Sequence, residues 1–382
     1  MKKRILFLIN TLLIFSLACS VSALPWTTEQ TPTSLQPTDE PVQPVVLFTI
    51  GVHVEPFGVQ KSELVGEESP AVNTSTQLNY HNRPLYERHA ENLSVLAAMV
   101  ESHAGRMTIQ VQSPFTTLSS QWGNSVLAEL AANGHEMALH FHEEPHLGKM
   151  ANELDALTWC NVMQEEMLWI SQASTVDVSE IRYWSGGNLY PHLLEAAACA
   201  GLDINSDWKN PQTQTTDLAL VGVNPWRPAG NSLGADVTLF AQHDVNGQVI
   251  FLPEGNYDRE NFAGKSRTIE MGGEEAYFDY LESALLDSLA VASVDKVNVF
   301  HFTVHAGEFV GDPDQPYELL NRWLTEVIDP LVTSGQVRWA TFAEMADAFV
   351  DWEAAHPDED ARAQRIAIEV YAASIDEIRK RG

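Results

Sequence analysis

Apolar and polar positions along the chain follow two alternating rhythms. Runs that are β-branched or alternate strictly read as strands: "PVVLFTI" (44–50), "RMTIQVQ" (106–112), "HEMALHF" (135–141) and "IRYWS" (181–185) in the first half. "LDINS" (202–206), "QVIFLP" (248–253), "KVNVFHFTV" (296–304) and "QVRWA" (336–340) continue the series. Helical periods lie between them. In "ENLSVLAAMVESHAG", Leu93, Leu96, Ala97 and Val100 recur at the spacing of one helix face, and Gly105 closes it. Further helices are predicted at "NSVLAELAANG", around 153–172, and at "YPHLLEAAACAG", "EAYFDYLESALLDSLAVA", "YELLNRWLTEVIDPLV" and "FAEMADAFVDWEA".

Strand and helix in alternation imply a parallel sheet covered by helices, and about eight such units predict an α/β fold of the (β/α)7-8 barrel type. An open doubly wound sheet is the competing arrangement. It is disfavoured because "GVHVEPFG", after the first strand, lacks the glycine spacing and the following helix of a nucleotide fingerprint. Two long irregular stretches, 56–84 and 208–246, follow strands and are expected to line a groove or form a lid.

The ends of the chain differ from this body. Residues 1–23 carry a basic start (Lys2, Lys3, Arg4), a short apolar run and small residues at Val21 and Ala23, the pattern of a cleaved export signal. The run is short of the roughly 20 residues that a span needs, so no transmembrane anchor is expected. Cys19, behind Leu17-Ala18, is a candidate lipid-anchor site, although Ser16 stands where leucine is usual. Residues 24–44 are rich in Thr, Pro and Gln and read as a disordered tether. The barrel is assigned to 45–352, and 353–382 reads as a C-terminal amphipathic helix. The location expected from these features is extracellular or attached to the cell surface.

A net charge of -30 excludes nucleic acid and anionic membranes as partners. Cys160 and Cys199 fall in two helical segments and are expected as buried free thiols, although export would permit a bridge.

In a β/α barrel the chemistry lies at the C-terminal ends of the strands, and there this sequence places histidines. His53 and Glu55 close the first strand. His140 and His142, followed by Glu143, Glu144 and His146, close the third, and His301 and His305 belong to the late strand. Arg182 and Trp184 are assigned to the fourth strand end, Asp207 and Trp208 to the fifth. His140 and His142 point to one face if the strand continues, and Glu144 and His146 could return to it one turn later. Imidazole nitrogens with a carboxylate oxygen suit a divalent metal of the zinc type.

These residues resemble the polysaccharide deacetylase family with the NodB homology domain, carbohydrate esterases built on a distorted TIM-like barrel. Five of its motifs lie in order between Val45 and Phe349. "GHEMALH" with Glu144 is similar to the family's second motif, "RYWSGGNLYPHLLEAAACAGL" to its third, and "INSDWKNP" to its Asp-Trp motif. "VFHFTVH" matches its late histidine strand, and "VRWATFAEMADAF" its closing strand and helix. The first motif departs, because the family's two aspartates are met by Gly51 and His53 in "FTIGVHVEP".

The resemblance implies Zn²⁺ on His53, His140 and Glu144, with His142 or His146 as other candidates for the third ligand. It also implies hydrolysis of an acyl group on a carbohydrate polymer by metal-activated water. Glu55, or else Glu143, replaces the missing base, and His305 serves as acid, oriented by Asp207 or Arg182. Trp184, Trp208 and Trp226, with His142 and His146, are expected to contact substrate. A binding protein that has lost turnover, or a metal-dependent amide hydrolase of a non-sugar substrate, are the alternatives.

Overall fold

The computed structural model describes residues 43–54, 59–72, 79–187, 190–206, 224–230, 239, 242–253 and 273–357. Residues 24–42 of the expected tether and 358–382 of the expected C-terminal helix lie outside these residues, as do Glu55, Asp207 and Trp208, while 353–355 continue the helix that begins at Phe342.

Eight parallel strands form one curled sheet: β1 (Val46–Val54), β2 (Met107–Val111), β3 (Glu136–Phe141), β4 (Tyr183–Gly186), β5 (Ile204–Asn205), β6 (Ile250–Phe251), β7 (Asn298–His305) and β8 (Val337–Trp339). Their order is β6-β5-β4-β3-β2-β1-β7, with β8 on the lower half of β1. Among the described residues no ladder joins β6 to β7, so the sheet is a half-barrel of the distorted (β/α) type.

Helices α1 (Arg83–Ser102), α2 (Phe115–Trp122), α3 (Val126–Ala132), α4 (Glu143–Leu147), α5 (Ala156–Ser174) and α6 (Leu193–Ala200) fall between the strands of the first half. They are followed by α7 (Glu274–Ala290), α8 (Glu318–Trp323), a π turn (Leu324–Ile328), α9 (Asp329–Thr333) and α10 (Phe342–Ala355). Starts are specified locally. Asn82 caps α1, Asp155 caps α5, and Thr341 with Glu344 forms a capping box on α10.

Alternation along the strands divides the interior into two cores. Val46, Phe48, Ile50 and Val52 of β1 face outward with Ile109 and Phe302 and pack under the helices. Leu47, Ala138, Tyr183, Ile204, Ile250 and Val299 face the lumen. Phe342, Met345, Ala346 and Phe349 of α10 join this inner core, and the Phe342 ring stacks on Tyr183 at 4.3 Å. The lower lumen is thus filled.

The two cysteines are not free thiols. Cys160 on α5 and Cys199 on α6 form a disulfide with their Cα atoms 5.7 Å apart. The helices pack side by side, a tertiary adjacency that places both sulfurs between them.

Candidate active site

Strand register carries the site. Paired residues of parallel strands share a face, and His53 pairs with Gln110 of β2 and His305 of β7, while His140 pairs with Ser185 of β4. All of these face the lumen at its upper rim. The His53 and His140 rings stack with centroids 4.0 Å apart, and His305 meets His53 edge-on at 5.6 Å. His140 Nε2 and His142 Nε2 lie 3.1 Å apart. The expectation that strand ends gather histidines is met for His53, His140, His142 and His305, while His301, paired with Thr49, sits lower in the lumen against Phe342 at 4.7 Å.

Each ring has a partner that orients it. His53 Nε2 is 2.9 Å from Gln110 Oε1, so the ring donates and its Nδ1 keeps the lone pair. His140 Nδ1 is 2.6 Å from Ser185 Oγ, and His305 Nδ1 is 2.9 Å from Glu308 Oε2. Glu308 also accepts the backbone N–H of His305 at 3.1 Å, closing a tight local clamp. Gln110, Ser185 and Glu308 were not singled out from sequence. A polar residue amid the apolar run "MTIQV", and a glutamate three after His305 in "HAGE", were the signals available.

Five expected positions are corrected. Arg182 precedes β4 and sits at the opposite end of that strand from the histidines, bonded to Asp203 at 2.9 Å and Asp347 at 2.7 Å. It cannot orient His305, and Glu308 does so instead. Trp184 is fully buried in the outer core, because Ser185 beside it takes the lumen face. It is no wall for a sugar ring, and Trp226 is likewise buried, against Phe251 at 4.8 Å.

The other two corrections follow from the end of β3 at Phe141. The chain turns into α4 at Glu143, so positions 142–146 run with a helical period instead of that of a strand. His146 is carried beneath the turn and stacks on Phe141 at 4.5 Å, wholly buried and away from the lumen. Glu144, two residues before it on the helix, points to the opposite, exposed side.

The ion implied by the family resemblance can be tested on this donor set. Ligand nitrogens about 2.0 Å from a tetrahedral zinc stand roughly 3.3 Å from each other, close to the separation of the two Nε2 atoms. The chemistry of His140 and His142 fits, with His53 the adjacent imidazole. Glu144 does not contribute, and among the described residues no three or more His, Cys, Asp or Glu side chains meet as a complete ion site.

Gly51, where the family carries an aspartate, leaves little room for any side chain. A Cβ there would lie 2.7 Å from Gln110 Nε2 and 2.7 Å from Thr303 Oγ1. The amide that orients His53 thus crowds the place of the missing base.

Comparison with solved structures identifies the fold. The chain superposes on a protein assigned as a polysaccharide deacetylase from Mycobacterium smegmatis with a TM-score of 0.52 and 12% identity, covering 82% of this chain and 93% of the other. A protein similarly assigned from Pseudomonas aeruginosa PAO1 gives 0.51 at 12%, with coverages of 82% and 93%. Puue allantoinase gives 0.51 at 13%, with 83% and 93%. No protein-family model matches the sequence, and none of the curated proteins matches it. The fold is that of the NodB-like polysaccharide deacetylase barrel, which also houses an allantoinase. Among the described residues no helix is long and apolar enough to cross a membrane.

Proposed function

We propose that the protein is an exported, metal-dependent hydrolase that removes acyl groups, acetyl first among them, from a polysaccharide. The observation that carries this reading is the convergence of His140 Nε2 and His142 Nε2, 3.1 Å apart, beside His53 and His305 at the rim. A zinc ion held by His140 and His142, with His53 next to them, would lower the pKa of a bound water and polarise the acyl oxygen.

The chain's own residues supply the rest. Glu308 takes the Nδ1 proton of His305 in a hydrogen bond, so Nε2 is the atom that exchanges a proton with the leaving amine or alcohol. Glu55 is the proposed base, two residues beyond His53. The carbohydrate polymer is the proposed partner, and the Cys160–Cys199 bridge supports export, because disulfides persist in oxidising compartments.

A second reading is favoured by Gly51. With the base position crowded by Gln110, the barrel would bind carbohydrate without turning it over. The allantoinase that shares the fold keeps a non-sugar amide in play as substrate.

Elemental analysis of the purified protein, followed by acetate release from acetylated glucosamine oligomers and acetylated xylan, tests the proposal. Stoichiometric zinc with acetate release that Glu55→Ala and His140→Ala abolish is the expected result. Zinc with no acetate from any polymer would overturn the deacetylase reading in favour of binding or of another amide.

A further inference from the structure

We infer that His146 and Glu166, both outside the lumen, are positioning residues that hold His142 at the angle from which its Nε2 meets that of His140. The inference rests on the metal reading above and assigns His146 a task other than contact with substrate.

His142 lies where β3 has ended and α4 has not begun, with φ -98° and ψ 122° as the residue that precedes the helix. Nothing in a regular ladder fixes a residue there. The structure supplies a substitute. Besides the first helical bond, from the His146 backbone N–H to the His142 carbonyl oxygen at 3.1 Å, His146 Nδ1 lies 2.6 Å from that oxygen and 3.1 Å from the His142 backbone N–H, so in either tautomer the ring bonds the His142 main chain, donating to the first or accepting from the second. The ring is immobilised on its face by Phe141, whose plane is only 8° from parallel. Its other nitrogen, Nε2, lies 3.4 Å from Glu166 Oε1 of α5, and the two side chains are 1% and 2% exposed.

Glu166 is itself fixed. It accepts the backbone N–H of Ser113 through Oε2 and the Ser113 hydroxyl through Oε1, each at 2.7 Å. Ser113 follows the end of β2, so one buried carboxylate joins the ends of β2 and β3 from behind the sheet. A carboxylate enclosed so completely is costly unless its hydrogen bonds are met, and this set is arranged around a main-chain turn instead of filling a core.

The same logic recurs at the other rings. Gln110 orients His53, Ser185 orients His140, and Glu308 orients His305, each through a direct side-chain bond. His142 is oriented through its own backbone, and His146 with Glu166 does for it what those residues do for their partners. Groups that orient metal-binding imidazoles usually change metal affinity 10- to 100-fold when removed.

The test is zinc affinity of the full chain by competition with a chromophoric chelator, with the Co²⁺ absorption spectrum as a second readout and thermal unfolding as the check on folding. His146→Phe keeps the stacking on Phe141 and removes both ring nitrogens. It is expected to fold, to bind zinc about 10- to 100-fold more weakly and to shift the Co²⁺ bands. His146→Asn, whose amide can donate to or accept from the His142 main chain, is expected to recover most of that affinity. Glu166→Gln gives an independent reading through the other end of the pair, with a loss of about 10-fold expected even if His146→Phe does not fold. Folded variants that bind zinc as tightly as wild type, with an unchanged Co²⁺ spectrum, overturn the inference. Wild type that binds neither ion overturns the metal reading first, and this inference with it.

Discussion

Alanine at position 51 tests how the rim has been rebuilt around its missing aspartate. The new Cβ would stand 2.7 Å from Gln110 Nε2 and from Thr303 Oγ1, about 0.7 Å inside ordinary contact. Two responses are open. If the neighbours stay, the strain of an overfilled interior costs about 1–3 kcal/mol. If Gln110 swings away, His53 Nε2 loses its 2.9 Å acceptor and a buried N–H is left unmet, again at about 1–3 kcal/mol. Gly51→Ala is expected to destabilise by about 2 kcal/mol on either route. Gln110→Ala alone forfeits the same hydrogen bond, yet in the double variant the clash with its amide is gone. The two costs should fall short of additivity by about 1 kcal/mol or more. Urea unfolding followed by tryptophan fluorescence, compared at constant m-value, reads the cycle. Additivity within about 0.5 kcal/mol would refute the idea that Gln110 occupies the room of the lost carboxylate.

The remaining predictions concern the frame of the barrel. Removal of the Cys160–Cys199 bridge, which spans a sequence separation of 39, is expected to cost about 4 kcal/mol on the chain-entropy relation. Urea midpoints of Cys160→Ala/Cys199→Ala and of reduced wild type should fall together, and equal midpoints with and without reductant would contradict this. At the lower end of β3, burial pushes the Glu136 carboxyl up to about 7 from an ordinary 4.5, against hydrogen bonds from Thr108 and Ala343 that lower it. The residue as a whole is half-buried, but Oε1 is enclosed and has no hydrogen-bond partner. A carboxyl whose folded pKa is raised binds more protons in the folded state, so its stability contribution is complete below pH 4.5 and is lost as pH rises through 7. Glu136→Gln should flatten that decline, with a gain over wild type at pH 8 of at most about 3 kcal/mol and little difference at pH 4.5. Parallel stability–pH curves for the two proteins would count against the assignment.

What the sequence made legible, and what it did not, follows the range of the forces involved. Alternation along β1, β3 and β7 was enough to place His53, His140 and His305 at one rim, because a strand's period decides its face without help from elsewhere. Glu144 and His146 were expected to return to that rim one turn later, and they do not. Where a strand ends and a helix begins changes the period from two to 3.6, and "HFHEEPH" carries no capping signal strong enough to mark the switch. Trp184 and Arg182 were misread for a related reason. The register of a short strand depends on its neighbours, and only Ser185 opposite His140 fixes which residues of β4 look inward. The disulfide depended on the packing of α5 against α6, a contact between segments 39 residues apart that no local pattern encodes.

The filling of the lower lumen by α10 has a practical consequence. With Phe342, Met345, Ala346 and Phe349 packed on the inner face of the strands, the lower end of the sheet is a core, and the histidines stand at its other end. Residues of that core can be varied for heat tolerance with little reach into the chemistry at the rim. A laboratory seeking robustness and altered selectivity can mutate the two ends in separate campaigns and combine the winners afterwards.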